Sequence, residues 1–260
     1  MATPLGSHAR RLGAIRALRT VKGRREQGRF ALEGPTMLAE AVASGVAIDE
    51  LYATQRAYDS TPLLREMREA GTPAFVLTQS AAASISDVST ATGVLAVTPL
   101  ALQPLEALFS DSRPVLVLAD LNDPANAGTL LRSADAFGAG AVVFGSRGID
   151  PYHPKVVRAS MGAILRLRLG LGAPFELAAA ARRADRTIVG LDAGGMPIAR
   201  ERWKGRLALV VGNERHGLGD WQALCQRIVS IPICSRAESL SAGVAGSIAL
   251  YLTTLSCGPE

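Results

Sequence analysis

The stretch Leu207-Ala208-Leu209-Val210-Val211-Gly212-Asn213-Glu214-Arg215-His216-Gly217-Leu218 begins with five apolar residues in a row and turns, at Gly212, into a dense polar loop. An apolar run without alternation predicts a strand buried on both faces, as in a parallel sheet covered by helices. Similar runs occur at residues 115–118, 141–144, 187–191 and 228–231, with helical stretches between them. From Pro114 onward the chain is therefore expected to be α/β with a mostly parallel sheet. Residues 164–169 differ, because Leu165, Leu167 and Leu169 alternate with Arg166 and Arg168, which predicts a strand with one solvated side.

Upstream, helical and strand patterns are mixed. A basic helix is expected over residues 14–25 and a charged one over 62–70. A third, over 37–44, has Thr36 as its cap, and strands are expected over 30–32, 48–53, 74–77 and 90–97. The prolines of Thr98-Pro99-Leu100-Ala101-Leu102-Gln103-Pro104 mark a boundary. The expected organisation is a smaller N-terminal α/β domain over 1–98, a linker over 99–112 and a larger α/β domain over 113–260, a division that 260 residues can support.

Composition removes several classes. Residues 1–29 are polar and basic, unlike a secretory signal. No apolar run approaches the roughly 20 residues needed to cross a bilayer. Cys225, Cys234 and Cys257 show no metal-ligand spacing, and each is expected to be a reduced, buried residue. His8, His153 and His216 are too scattered for a metal site or a serine triad. No G-x-G-x-x-G, P-loop, G-x-S-x-G or H-E-x-x-H stands anywhere in the chain. A soluble, cytoplasmic protein with neither membrane nor metal partner is expected.

The charge is uneven. Arg10, Arg11, Arg16, Arg19, Lys22, Arg24, Arg25 and Arg29 face a single acid, Glu26, over twenty residues. Such a block can track a phosphate backbone, releasing counterions as it binds, or can be a solvated basic arm.

Ligands of open α/β sheets bind beyond the carboxyl ends of the strands. Three segments at such positions are unusually polar. They are Asn122 through Arg132, Gly212 through Leu218, and Ile231-Pro232-Ile233 with the following Glu238-Ser239-Leu240-Ser241. Singly, each has an ordinary structural reading: Asn126 as a helix cap, Arg132 as a solvated helix residue, Glu214 in a first helical turn, and Ser239 or Ser241 as the cap of the last helix.

Together and in this order they resemble the three motifs of the SpoU (TrmH) class of the SPOUT RNA 2′-O-ribose methyltransferases. Asn126, Gly128 and Arg132 match N-x-G-x-x-x-R; Gly212, Glu214 and Gly217 match G-x-E-x-x-G; Ile231-Pro232 with Ser239-Leu240-Ser241-Ala242-Gly243-Val244-Ala245 matches I-P followed by S-L-N-V-S-V-A. Lys155 through Ala163 is also typical of the family, and the resemblance covers about residues 113–251. The N-terminal part, from Arg24 to Ala41, looks like the RNA substrate-binding domain that many members carry. Ser241 stands where the family has asparagine, and Gly243 where it has serine.

The resemblance implies a C-terminal α/β knot (a deep trefoil), a homodimer through that domain, and S-adenosyl-L-methionine as cofactor. It implies catalytic roles for Asn126, Arg132, Glu214, Ser239 and Ser241. Leu191, Asp192, Gly212, Ile231, Ile233, Ser239, Leu240 and Ser241 would hold the cofactor. Arg10, Arg11, Arg19, Lys22, Arg24, Arg25, Arg29 and Arg158 would contact RNA. Arg132 would stabilise a developing 2′-alkoxide rather than act as a base, since guanidinium stays protonated in proteins. The added N-terminal domain favours 23S ribosomal RNA as substrate, and some such enzymes protect ribosomes from antibiotics. The alternatives are a tRNA 2′-O-methyltransferase, a non-catalytic RNA-binding protein of the same fold, and an unrelated small-molecule α/β enzyme.

Overall fold

A computed structural model describes residues 5–6, 8–200, 206–234 and 239–257. It divides into two compact units, one of Met1–Leu100 with Tyr152–Arg158, the other of Ala101–Pro151 with Ala159–Glu260.

The first unit runs α1 (Arg10–Ala17), α2 (Val21–Gln27), β1 (Arg29–Glu33), α3 (Pro35–Ala43), β2 (Glu50–Thr54), α4 (Gln55–Ser60), α5 (Pro62–Glu69), β3 (Ala74–Leu77), α6 (Gln79–Ile85) and β4 (Val94–Pro99). Its four-stranded sheet has the order β1-β4-β2-β3, with β2 and β3 parallel and β4 antiparallel to both neighbours. Leu12, Ile15 and Leu18 pack with Tyr52, Leu77, Leu95 and Val97 in its core. The single basic helix expected over 14–25 is two helices. Thr20 restarts the chain by accepting a hydrogen bond from the Gly23 amide at 3.0 Å, the local competition that makes threonine a good helix start. Thr36 is no cap either; it lies inside α3, which begins at Gly34-Pro35.

The second unit contains α7 (Leu105–Phe109), β5 (Val115–Leu118), α8 (Pro124–Ala136), β6 (Ala141–Gly145), the end of α9 (Pro154–Ala159), β7 (Leu169–Gly172), α10 (Pro174–Arg183), β8 (Thr187–Pro197), β9 (Leu207–Val211), β10 (Arg227–Ser230) and α11 (Ala242–Cys257). Six parallel strands form one sheet in the order β10-β8-β9-β5-β6-β7. The central strands β5, β6 and β9 are buried along their length, as their unbroken apolar runs require. Residues 105–109, inside the stretch expected to be a linker, form α7, whose Leu105, Leu108 and Phe109 join this core.

Two further expectations are corrected. Residues 164–169 are not a strand. Met161 and Gly162 both take left-handed backbone (φ 49° and 89°), a 3-10 turn follows over Ala163–Leu165, and the strand starts only at Leu169. The two arginines that made the alternation are spent on the protein: Arg166 pairs with Asp135 at 2.7 Å, and Arg168 donates to Gln103 Oε1 and the Ala107 carbonyl. The cysteines do not share one environment. Cys225 is half-buried and burial pushes its thiol up to about 11, whereas Cys234 is exposed; the side chain of Cys257 lies outside the described ones.

One irregularity shapes the carboxyl edge of the sheet. β8 meets β10 in two steps, Val189 and Gly190 opposite Arg227 and Ile228, then Met196 and Pro197 opposite Val229 and Ser230. Residues 191–195 are left over from this register as an excursion, which returns to β10 at Gly195, whose carbonyl accepts from Ser230 Oγ at 2.8 Å.

Candidate active site

At the carboxyl edge, that excursion, the loop after β9, the segment after β10 and the start of α11 enclose a cleft of about 240 Å³. Ligand sites in parallel α/β sheets lie at this edge. Of the residues expected to hold a cofactor, Leu191, Asp192, Gly212, Ile231, Ile233, Ser239 and Leu240 line the cleft. Ser241 does not. Its hydroxyl accepts from the Val244 amide at 3.3 Å and caps the first turn of α11. Asn213, Gly217, Ala242 and Ala245 also line the cleft. Spacing offers no signal for the alanines, which matter only because they are small at a close approach.

The loop after β9 is tight. Asn213 and Gly217 exchange backbone hydrogen bonds at 2.7 and 3.0 Å, and Gly217 sits at φ +57°. A Cβ on Gly212 would lie 2.4 Å from the Gly217 carbonyl carbon, so this wall of the cleft requires glycine.

Asn126 ties the three segments together. It lies in the first turns of α8, whose start is capped by Asp123 through the Ala125 amide at 3.0 Å. The Asn126 amide nitrogen donates to Glu214 Oε1 at 2.9 Å, and its oxygen accepts from the Gly243 amide at 3.2 Å. A Cβ on Gly243 would stand 2.9 Å from that oxygen, so glycine at this position lets Asn126 reach the start of α11. Gly128 in turn lets α8 press on Ala159, where a Cβ would be 2.2 Å away. Arg132 is farther along α8, exposed and outside the cleft, and makes no hydrogen bond or ion pair with any described residue.

Among the described residues, the charged side chains lining the cleft are both carboxylates, Asp192 and Glu214. A pocket with apolar walls, exposed backbone polar groups and two acids suits a partly apolar ligand that carries positive charge. The described residues contain no group of three or more His, Cys, Asp and Glu placed to hold a metal ion.

The basic residues of the first unit divide into two sets. Arg24 is not at the surface: it is 1% exposed, with Nη1 donating to the Leu18 carbonyl at 2.9 Å, so it is a structural residue rather than an RNA contact. Arg19 bonds the Ser84 and Ser86 carbonyls, Arg29 reaches Glu50 at 3.4 Å, and Arg158 pairs with Asp87 at 2.7 Å. Arg11 pairs with Glu50 at 3.2 Å while staying half exposed. Arg10, Lys22 and Arg25 are exposed.

A parallel α/β domain with a cleft of this make-up at its carboxyl edge is a small-molecule-binding fold, and comparison with known proteins narrows it. Residues 113–251 match the SpoU rRNA Methylase family, and residues 10–96 match the MRM3-like substrate binding domain. The 23S rRNA (guanosine(2553)-2′-O)-methyltransferase RlmP of Bacillus subtilis is 30% identical over 90% of this chain and 92% of its own length. Ribosomal RNA small subunit methyltransferase G 2 of Syntrophobacter fumaroxidans is 40% identical, but over 52% of this chain and only 26% of that protein. The crystal structure of the SpoU methyltransferase AviRb from Streptomyces viridochromogenes, in complex with AdoMet, superposes with a TM-score of 0.87 at 27% identity, covering 96% of this chain and 98% of that one. The chain belongs to the SpoU rRNA methylase family.

Proposed function

We propose that this protein is a cytoplasmic RNA methyltransferase that uses S-adenosylmethionine to methylate a ribose 2′-hydroxyl of 23S ribosomal RNA. The observation that carries this reading is the cleft, lined by residues of the second and third motifs with two carboxylates, beside which Asn126 of the first motif bonds Glu214 and the Gly243 amide. RlmP, a relative that matches nearly the whole chain, is named for that reaction on 23S rRNA, and the superposing AviRb structure contains AdoMet.

S-adenosylmethionine supplies an activated methyl group carried on a cationic sulfur. Backbone groups at Leu191, Gly212, Ile231 and Leu240 would hold the cofactor, and Asp192 and Glu214 favour its positive charge. Ser239 shapes the wall of the cleft, and Ser241 serves it through the fold of α11. Asn126 fixes Glu214 against α11, so the carboxylate keeps one orientation. Arg132 would set its guanidinium against the 2′-oxygen as charge develops there, with an RNA phosphate or water accepting the proton. Aligning the reactants can by itself remove several kcal/mol of barrier.

Residues 1–98 would bind the RNA and residues 113–260 carry out the transfer. We also assign the C-terminal unit a deep trefoil knot and a homodimeric state. Support for the dimer is a stripe on α11, where Val244, Ile248 and Tyr251 are 45%, 37% and 46% exposed at helical spacing.

Titration calorimetry with S-adenosylmethionine tests the cofactor assignment: one site per chain is expected, and no binding would contradict it. The RNA assignment makes its own prediction. Replacing the exposed Arg10, Lys22 and Arg25 together with alanine should weaken RNA binding uniformly across sequences and flatten the salt dependence of log K by about 1 per residue. An unchanged slope would take these residues off the RNA path.

A further inference from the structure

Asp120 follows β5 and takes a left-handed conformation, φ +52°. Outside glycine that backbone costs free energy and persists where the surroundings hold it. Here they do. Asp120 Oδ1 accepts from the Arg147 amide at 3.2 Å, and Oδ2 accepts from Arg147 Nε at 3.2 Å, Arg147 Nη2 at 3.0 Å and the buried Trp221 Nε1 at 2.9 Å. Behind it, Gly145 has no room for a side chain, since a Cβ would lie 2.3 Å from Asp120 Oδ1.

The payload of this arrangement is the Asp120 carbonyl. It accepts from Asn213 Nδ2 at 2.8 Å, and Asn213 Oδ1 accepts from the Arg215 and His216 amides at 2.9 and 3.3 Å. The loop so tied is the one that lines the cofactor cleft and carries Glu214. Asn213 and Gly217 of this loop also border a second cavity of about 310 Å³, together with Asp120, Arg147 and His216. The loop thus borders two open spaces, and the Asp120–Asn213 link anchors it where they share residues.

We propose that Asp120 is a positioning residue for methyl transfer, acting through Asn213: its carboxylate, clamped by Arg147 and Trp221, sets the carbonyl that holds the 213–217 loop against the cofactor. The proposal rests on reading the cleft as the S-adenosylmethionine site. Asn tolerates the left-handed region, so Asp120→Asn keeps the backbone while removing the charge that Arg147 and Trp221 bind.

The test is calorimetric titration of S-adenosylmethionine into the full chain and its variants, together with amide hydrogen exchange of the same proteins without cofactor. Asp120→Asn is expected to raise Kd about tenfold, and Trp221→Phe to raise it less, each with the melting transition still cooperative. Exchange at the Arg215 and His216 amides should speed up in both. Because Asp120 acts through Asn213, the double variant Asp120→Asn/Asn213→Ala should bind no more weakly than Asn213→Ala alone. Additive losses, or an unchanged Kd in folded Asp120→Asn, would overturn the proposal. If Asp120→Asn does not fold, Trp221→Phe decides by the same two readouts. A wild-type chain that does not bind contradicts the cofactor reading, and the exchange rates then decide the loop clamp alone: unchanged rates overturn it.

Discussion

Arg132→Ala should lower the rate of ribose methylation by about 10²–10³-fold, the loss seen when one preorganised oxyanion donor is removed, while S-adenosylmethionine binds as before. The side chain stands exposed on α8 and bonds no described residue, so its removal leaves packing intact. The stability change should stay within about 0.5 kcal/mol, as for other surface positions. Because Arg132 does not line the cleft, cofactor affinity gives no reason to change either. The loss should therefore fall on kcat and on kcat/KM for RNA alike, the pattern of an interaction made only in the transition state. Arg132→Lys would keep the charge but lose the planar fork, and should recover only part of the rate. Full activity in folded Arg132→Ala would remove the residue from the chemistry.

The second large effect concerns stability. Arg186 is 4% exposed and donates to the carbonyls of Phe109 at 3.0 Å, Arg113 at 2.9 Å and Leu207 at 3.1 Å, and to that of Asp111. Its guanidinium also lies 5.5 Å from the Phe109 ring centroid. Burial, with help from the charge of Arg206, lowers its pKa to about 10, which still leaves it charged at neutral pH. The chain between α7 and β5 is thus stapled to β8 and β9 by one side chain. Arg186→Met keeps most of the apolar stem but leaves four buried or half-buried carbonyls without this donor. A loss of about 3–5 kcal/mol is expected, read as a lower urea midpoint at unchanged slope. A midpoint within experimental error of wild type would show that water replaces the donor at no cost.

The strands were the most legible part of the chain. Val115–Leu118 and Leu207–Val211 are continuous apolar runs because both faces of their sheet are covered, and burial leaves that mark on composition directly. Residues 164–169 were misleading for the complementary reason. Alternating leucine and arginine looks the same in a half-solvated strand and in a turn whose arginines reach back to Asp135 and Ala107. The basic block hid a similar ambiguity: Arg24 is indistinguishable in sequence from Arg25, yet one is buried against the Leu18 carbonyl and the other faces solvent.

In the site, resemblance supplied the residues and the fold supplied their relations. That Asn126 reaches both Glu214 and the Gly243 amide depends on three distant segments converging. Ser241 illustrates the reverse case, where the ordinary local reading, a cap for α11, describes what its side chain does. Asp120 leaves no trace in the sequence, since its carboxylate is held by Arg147 and Trp221 from distant segments and it reaches Asn213 through a backbone carbonyl.

The most direct measurement is to incubate the purified protein with radiolabelled S-adenosylmethionine and separate pools of unmodified 23S ribosomal RNA and tRNA, then digest to nucleosides. Label in a 2′-O-methylated nucleoside from the 23S pool is the expected result. Label on a base, or in tRNA alone, would contradict the assigned reaction or the assigned substrate respectively.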